Sequence, residues 1–261
     1  LLPVISQVLS AFLVLSFLSG KRPILRLALK RLKFDPAIIK RVFLMGLSSF
    51  VMSVTTSAVQ VVSNSQLLFY GGDIYVGIMT VVNSAREILI LPLNGLTSGA
   101  PPVLGYNYGA RKYARLKEGI KFVTVISVVY SLAAWGLITK FPSYIIQIFN
   151  NDQTLISLGI PALNAHFFGF FMMAFQIAGQ TFYLSFGKAK HAIFFSVLRK
   201  VIIVIPLTLI LPRLWGLGPM GVFWSEPVSN FIGGAACYMT FMLTVWPSLK
   251  NEKTPEQKES P

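Results

Sequence analysis

Two carboxylates, Glu87 and Glu226, fall inside long apolar runs of the chain. A carboxyl buried in apolar surroundings can exchange a proton near neutral pH, which is the chemistry an ion-coupled carrier needs. The same carboxyl could instead close a structural ion pair between helices, and residue type alone leaves both roles open. Glu87 shares a helical face with Asn83, Asn94 and Ser98, and Glu226 shares one with Asn230, Gly233 and Cys237. Gln60 and Asn64 continue a stripe formed by Ser49, Ser53, Thr56 and Ser57 at helical spacings. Gln176 and Gln180 lie one turn apart, with Tyr183 further along the same face. Hydroxyls in such stripes can serve close helix packing alone, whereas an amide needs several hydrogen-bond partners. The candidate cavity contacts for substrate or cation are therefore Gln60, Asn64, Asn83, Glu87, Gln176, Gln180, Glu226 and Asn230.

The intramembrane cations have a different expected part. Arg86 and Glu87 are adjacent, so on a helix they point about 100° apart and each needs another partner. Arg86 and Arg199 are expected to pair charges within the structure, and Lys200 to snorkel towards a surface. His166 and His191 are far apart and Cys237 is the single cysteine. That pattern offers no metal site, no intrachain disulfide and no catalytic cluster, which counts against a membrane-embedded enzyme.

The elements that must hold these groups are long apolar helices. The hydrophobic fraction is 54% and charged residues are only 12%, about half the usual charged share. A soluble domain cannot hide that much apolar surface. Seven hydrophobic spans are predicted, at 1–18, 38–69, 74–103, 117–139, 155–185, 190–212 and 217–247. They are too long for barrel strands of roughly ten residues and lack strict alternation. Pro92, Pro206 and Pro227 sit within spans and permit kinks. The fold class is all-α: a six-helix transmembrane bundle over 38–247, preceded by the end of another transmembrane helix at 1–19. The apolar start at Leu1 predicts that the chain is part of a longer protein.

The net charge of +14 is concentrated in alternate loops. Lys21 to Arg41 holds eight basic residues and one acid, and Arg111 to Lys121 holds five and one. The intervening loops are poor in both Lys and Arg. The positive-inside rule then makes the basic loops cytoplasmic. With no nucleic-acid-binding module framing them, no nucleic-acid partner is expected. Tyr106, Tyr108, Tyr113 and Trp246 inside, and Phe141 and Tyr144 outside, fit an aromatic belt. The linker 20–37 is basic and cytoplasmic, with an amphipathic surface helix expected within 21–41 against anionic lipid. The tail 248–261 reads as disordered and cytoplasmic.

The segment from Leu91 to Arg111, LPLNGLTSGAPPVLGYNYGAR, resembles a hallmark of the multidrug and toxic compound extrusion (MATE) family. Gly46-Leu-Ser-Ser-Phe50 resembles the start of that family's seventh helix. Leu198-Arg199 with Pro206 and Pro212 resembles its eleventh, and Gly218 to Trp224 with Glu226-Pro227 the entry to its twelfth. The resemblance implies the second of two six-helix bundles, with the first bundle as a missing partner. It implies cation-coupled antiport, by proton or sodium and without any other cofactor. The exported compounds would be amphiphilic, often cationic small molecules, and the location the cell membrane. Two departures stand out. The family often has glutamine where this chain has Pro101. Some members carry a cation-binding acid where Ser53 to Thr56 here hold none. Glu87 and Glu226 thus rest on physical grounds, and the coupling acid could equally sit in the missing half. A lipid-linked oligosaccharide flippase of the same superfamily is the alternative, but it should show a more strongly cationic cavity than Arg86 and Arg199 provide.

Overall fold

The computed structural model describes residues 2–19, 35–214 and 216–251. Helices account for nearly all of them, and no strand occurs among the described residues. They are α1 (Leu2–Ser19), α2 (Pro36–Gly71), α3 (Asp73–Gly109), α4 (Tyr113–Lys140), α5 (Pro142–Gln147), α6 (Gln153–Phe167) and α7 (Phe171–Ser185). These are followed by α8 (Ala189–Val197), α9 (Ile205–Ile210), α10 (Pro219–Thr244) and α11 (Ser248–Asn251). All seven predicted spans reappear as helices, the fifth as the pair α6 and α7. The short α5 falls within the predicted loop 140–153, where Pro142 supplies a preset first turn. The linker from 20 to 34 and its expected surface helix lie outside the described residues, as does the tail beyond Asn251. The tail's first residues form α11, because Leu249 is apolar and buried.

Two compact units are distinguished, Leu1–Leu44 and Met45–Pro261. In the first, α1 carries large apolar side chains on every side, from Val4 to Phe17, all more than half exposed. In the second, α3, α4 and the stretch Ala189–Arg213 are each long and apolar enough to cross a membrane, and α6 and α7, bent by 46° at their junction, are so when taken together. The helices α2 and α10 span 36 and 26 residues. Both have the length to cross a bilayer core. Ile88, Leu91, Phe122, Val125 and Val129 project outward from α3 and α4. An apolar exterior of this kind belongs against lipid.

Breaks in the helices have local causes. Gly72 separates α2 from α3 with φ 71. Asp152 caps α6, accepting hydrogen bonds from the backbone N–H groups of Thr154 (2.7 Å) and Leu155 (3.2 Å). The bend between α6 and α7 centres on Gly169, at φ 67. A Cβ there would stand 2.3 Å from the ring of Phe231 on α10, so both conformation and space require glycine. The sixth span is α8, then a π-helical segment at Leu198–Val204, then α9. Pro206 lies just beyond that segment, and a proline removes a backbone donor and crowds the turn before it. The Ile205 N–H answers the carbonyl of Lys200, five residues back.

Packing forms two layers along the second unit. One gathers Leu67, Ile78, Val82, Leu163, Phe167 and Phe223, and the other Leu104, Leu116, Ile120, Phe182, Tyr183 and Phe241. Because lipid is as apolar as these side chains, their cohesion comes from close fit. The GYNYGA segment closes α3 beside the second layer. Arg111 takes a left-handed conformation, φ 55, and the N–H of Lys112 returns to the carbonyl of Asn107 at 2.9 Å. Tyr108 stacks on Phe186 with ring centres 4.6 Å apart. The motif is thus a helix stop locked onto the end of α7.

Candidate functional site: a charged cavity among five helical elements

Beside the first of these layers lies a cavity of about 310 Å³. Its wall draws Thr56, Gln60, Ser63 and Asn64 from α2, and Thr80, Asn83, Ser84, Arg86 and Glu87 from α3. His166 on α6, Val204 at the end of the π-helical segment, and Ser225 and Glu226 on α10 complete it.

Glu226 is the electrostatic centre. Its Oε1 accepts a hydrogen bond from Arg199 Nη1 at 3.0 Å and stands 3.9 Å from Arg86 Nη1. The same Arg199 nitrogen donates to the side-chain oxygen of Asn230. The stem of Arg199 lies across Gly233, where a Cβ would come within 2.8 Å of it. The predicted stripe Glu226, Asn230, Gly233 therefore has one purpose in this structure: two residues hold a guanidinium and the third makes room for it. A carboxylate shared by two guanidiniums is well neutralised. Lys200, instead of running to a surface, donates to Thr56 Oγ1 and approaches the Met52 carbonyl at 3.5 Å. The π-helical segment thus sends successive cations to α10 and α2. Thr208 donates to Ser225 at 3.1 Å, and Ser225 in turn to the carbonyl of Val222 at 2.7 Å.

Of the sequence candidates, Gln60, Asn64, Asn83, Arg86, Glu87 and Glu226 meet at this cavity. Arg199 and Asn230 form the layer behind it, buried against Glu226. Gln176 and Gln180 are elsewhere. Gln176 is buried with its carbonyl facing Cys237, and Gln180 donates to the carbonyl of Ala192 at 3.3 Å. Glu87 is exposed, and neither ion pair found among the described residues includes it.

His166 escaped the sequence reading, which weighed it only as a metal ligand. It is 7% exposed, packed edge-on against Phe167 and Phe223, and neither ring nitrogen has a hydrogen-bond partner among the described residues. A lone imidazole in an otherwise uncharged apolar run was the available signal. Thr80, Ser84 and Ser225 also line the wall without having been singled out. Among the described residues no group of three or more His, Cys, Asp or Glu side chains could hold a metal ion.

With this geometry in view, comparison with known proteins is informative. The MatE family model matches residues 48–210, more than half the chain. The multidrug export protein MepA of Staphylococcus saprophyticus is 24% identical over 244 residues, covering 93% of this chain and 52% of the relative. Among solved structures, the MATE multidrug transporter DinF-BH superposes with a TM-score of 0.80 at 32% identity. That match covers 92% of this chain and 54% of the other. A MATE in complex with MaL6 superposes with a TM-score of 0.86 at 19% identity, over 95% and 56% of the two chains, a likeness of fold alone. The chain therefore spans about half the length of the relatives it matches. From the family match and the shared helical architecture, the chain belongs to the MatE family, the multidrug and toxic compound extrusion proteins.

Proposed function

We propose that this chain is the second bundle of a cation-coupled antiporter that exports amphiphilic, often cationic compounds across the cell membrane. The observation that carries the reading is a cavity with ionisable residues walled by helices that are otherwise apolar. Such groups are costly within a bilayer and mark substrate or ion pathways. A first six-helix bundle would supply the other wall, and rocking of the two bundles would expose the cavity to each side in turn. Glu87 is the coupling candidate, because it lines the cavity without an ion-pair partner among the described residues. Glu226 is held by two guanidiniums and serves as the structural counter-charge. The coupling ion is a proton or sodium. The C-terminus lies in the cytoplasm on the positive-inside argument.

The test uses the two-bundle assembly in liposomes loaded with a fluorescent amphiphile. An imposed proton or sodium gradient should drive export, and Glu87→Gln should lower the gradient-driven rate by about tenfold or more. Export insensitive to both gradients would end the antiport reading. An unchanged rate and gradient dependence in Glu87→Gln would remove Glu87 from coupling.

A further inference from the structure

The cavity's charges do not balance. Three cations, Arg86, Arg199 and Lys200, stand in or against its wall, facing two carboxylates, Glu87 and Glu226. Glu226 serves Arg199 first, at 3.0 Å, and reaches Arg86 only at 3.9 Å. Glu87 neighbours Arg86 in sequence but forms no ion pair with it. Lys200 meets the Thr56 hydroxyl and the Met52 carbonyl, while of the two arginines Arg86 has the weaker counter-charge, and its side chain is 23% exposed in the cavity wall. Its Nε is buried without a hydrogen-bond partner among the described residues. His166, nine-tenths buried, lines the same cavity, and neither of its ring nitrogens has a hydrogen-bond partner among the described residues. Buried donors left unpaired are expensive, and a planar guanidinium fork is matched best by a carboxylate.

We propose that Arg86 and His166 form a subsite for a carboxylate of the transported molecule, with Glu87 meeting the cationic part of the same molecule. The inference rests on the exporter reading above and names its substrate class: an amphiphilic zwitterion. Arg86 and Glu87 are consecutive residues on α3 and both line the cavity, so one turn of helix offers both signs to a single ligand. The apolar part of the wall, Val59, Met79 and Val222, takes the uncharged body.

A matched pair of xanthene dyes provides the probe: a cationic dye bearing a free aryl carboxylate, and its ethyl ester, which differs in that one charge. Binding is measured by fluorescence anisotropy on the purified two-bundle assembly, and export in liposomes. The wild-type protein should bind the carboxylate dye at least about tenfold more tightly than the ester, the usual worth of a charged hydrogen bond. Arg86→Gln should abolish that preference, so that the two dyes bind alike. Arg86→Lys should retain part of it, because charge remains but the fork is lost. His166→Gln should weaken carboxylate binding alone, which keeps the test decisive if Arg86→Gln does not fold. Equal wild-type binding of both dyes would overturn the carboxylate subsite and leave the exporter reading standing. Binding of neither dye would overturn both. Equal loss of both dyes in Arg86→Gln would reduce Arg86 to shaping the wall, or to pairing with an acid of the first bundle, and would also overturn the subsite.

Discussion

Glu226 shows how one residue can be read correctly as buried while its role stays open. Its place among apolar residues is visible in the sequence, but its two partners come from residues 27 and 140 positions away. No local pattern links positions so far apart, so proton carrier and ion pair remained equal alternatives until the helices were assembled. Removing the acid should expose what it holds. Glu226→Gln leaves two guanidiniums without a counter-charge, and such losses cost about 3–5 kcal/mol. We expect a lower thermal unfolding midpoint in detergent, with much of the loss recovered when Arg199→Met is added. A double-mutant cycle with no coupling would contradict the pairing. Gly233→Val should act through the same arginine by pressing on its stem, at a cost of about 1–3 kcal/mol. Purified protein of unchanged stability would show that the stem is free to move aside.

The helices themselves were legible to within a few residues at most ends, because hydrocarbon thickness dictates their length and composition. Of their interruptions only the one beside Pro206 was legible, and Pro92 and Pro227 lie inside single helices. At the bend Gly169 has a positive φ and a Cβ there would meet the Phe231 ring, more than sixty residues later, while α5 has a proline start within a predicted loop. Gly169→Ala should cost more than about 2 kcal/mol, from left-handed backbone strain and the Phe231 clash together. Pairing it with Phe231→Ala should relieve the clash alone, so only part of the stability should return in a thermal melt. Full recovery would mean that the backbone conformation is not strained.

Across the whole molecule, alternation of basic and neutral loops predicts an orientation, and apolar content made the class readable. The cavity was half readable. Stripes on α2 and α3 pointed towards it, while the similar stripe of Gln176 and Gln180 lies outside it: Gln180 donates to the carbonyl of Ala192, and the Gln176 side-chain oxygen is buried without a hydrogen-bond partner among the described residues. A stripe shows that a helix face is polar, but not whether the neighbour across from it leaves a space. Orientation can be checked by labelling, since native Cys237 is fully buried and Cys237→Ser gives a cysteine-free background. In that background Glu118→Cys should react with a membrane-impermeant maleimide only from the cytoplasmic side, and Asn151→Cys only from outside. The reverse pattern would invert the topology. The π-helical segment at Leu198–Val204 carries one further consequence. A wide turn of this kind holds one residue more than an α-helix needs, so the span contains a removable residue. Deleting one position there would let the chain re-form regular helix with little rotation of what lies beyond it, because the wide turn already absorbs the roughly 100° of one residue. Thr208 would then still face Ser225, whereas the same deletion within regular helix would turn it away. The wide turn thus takes up one residue without disturbing the phase between the two halves of the span.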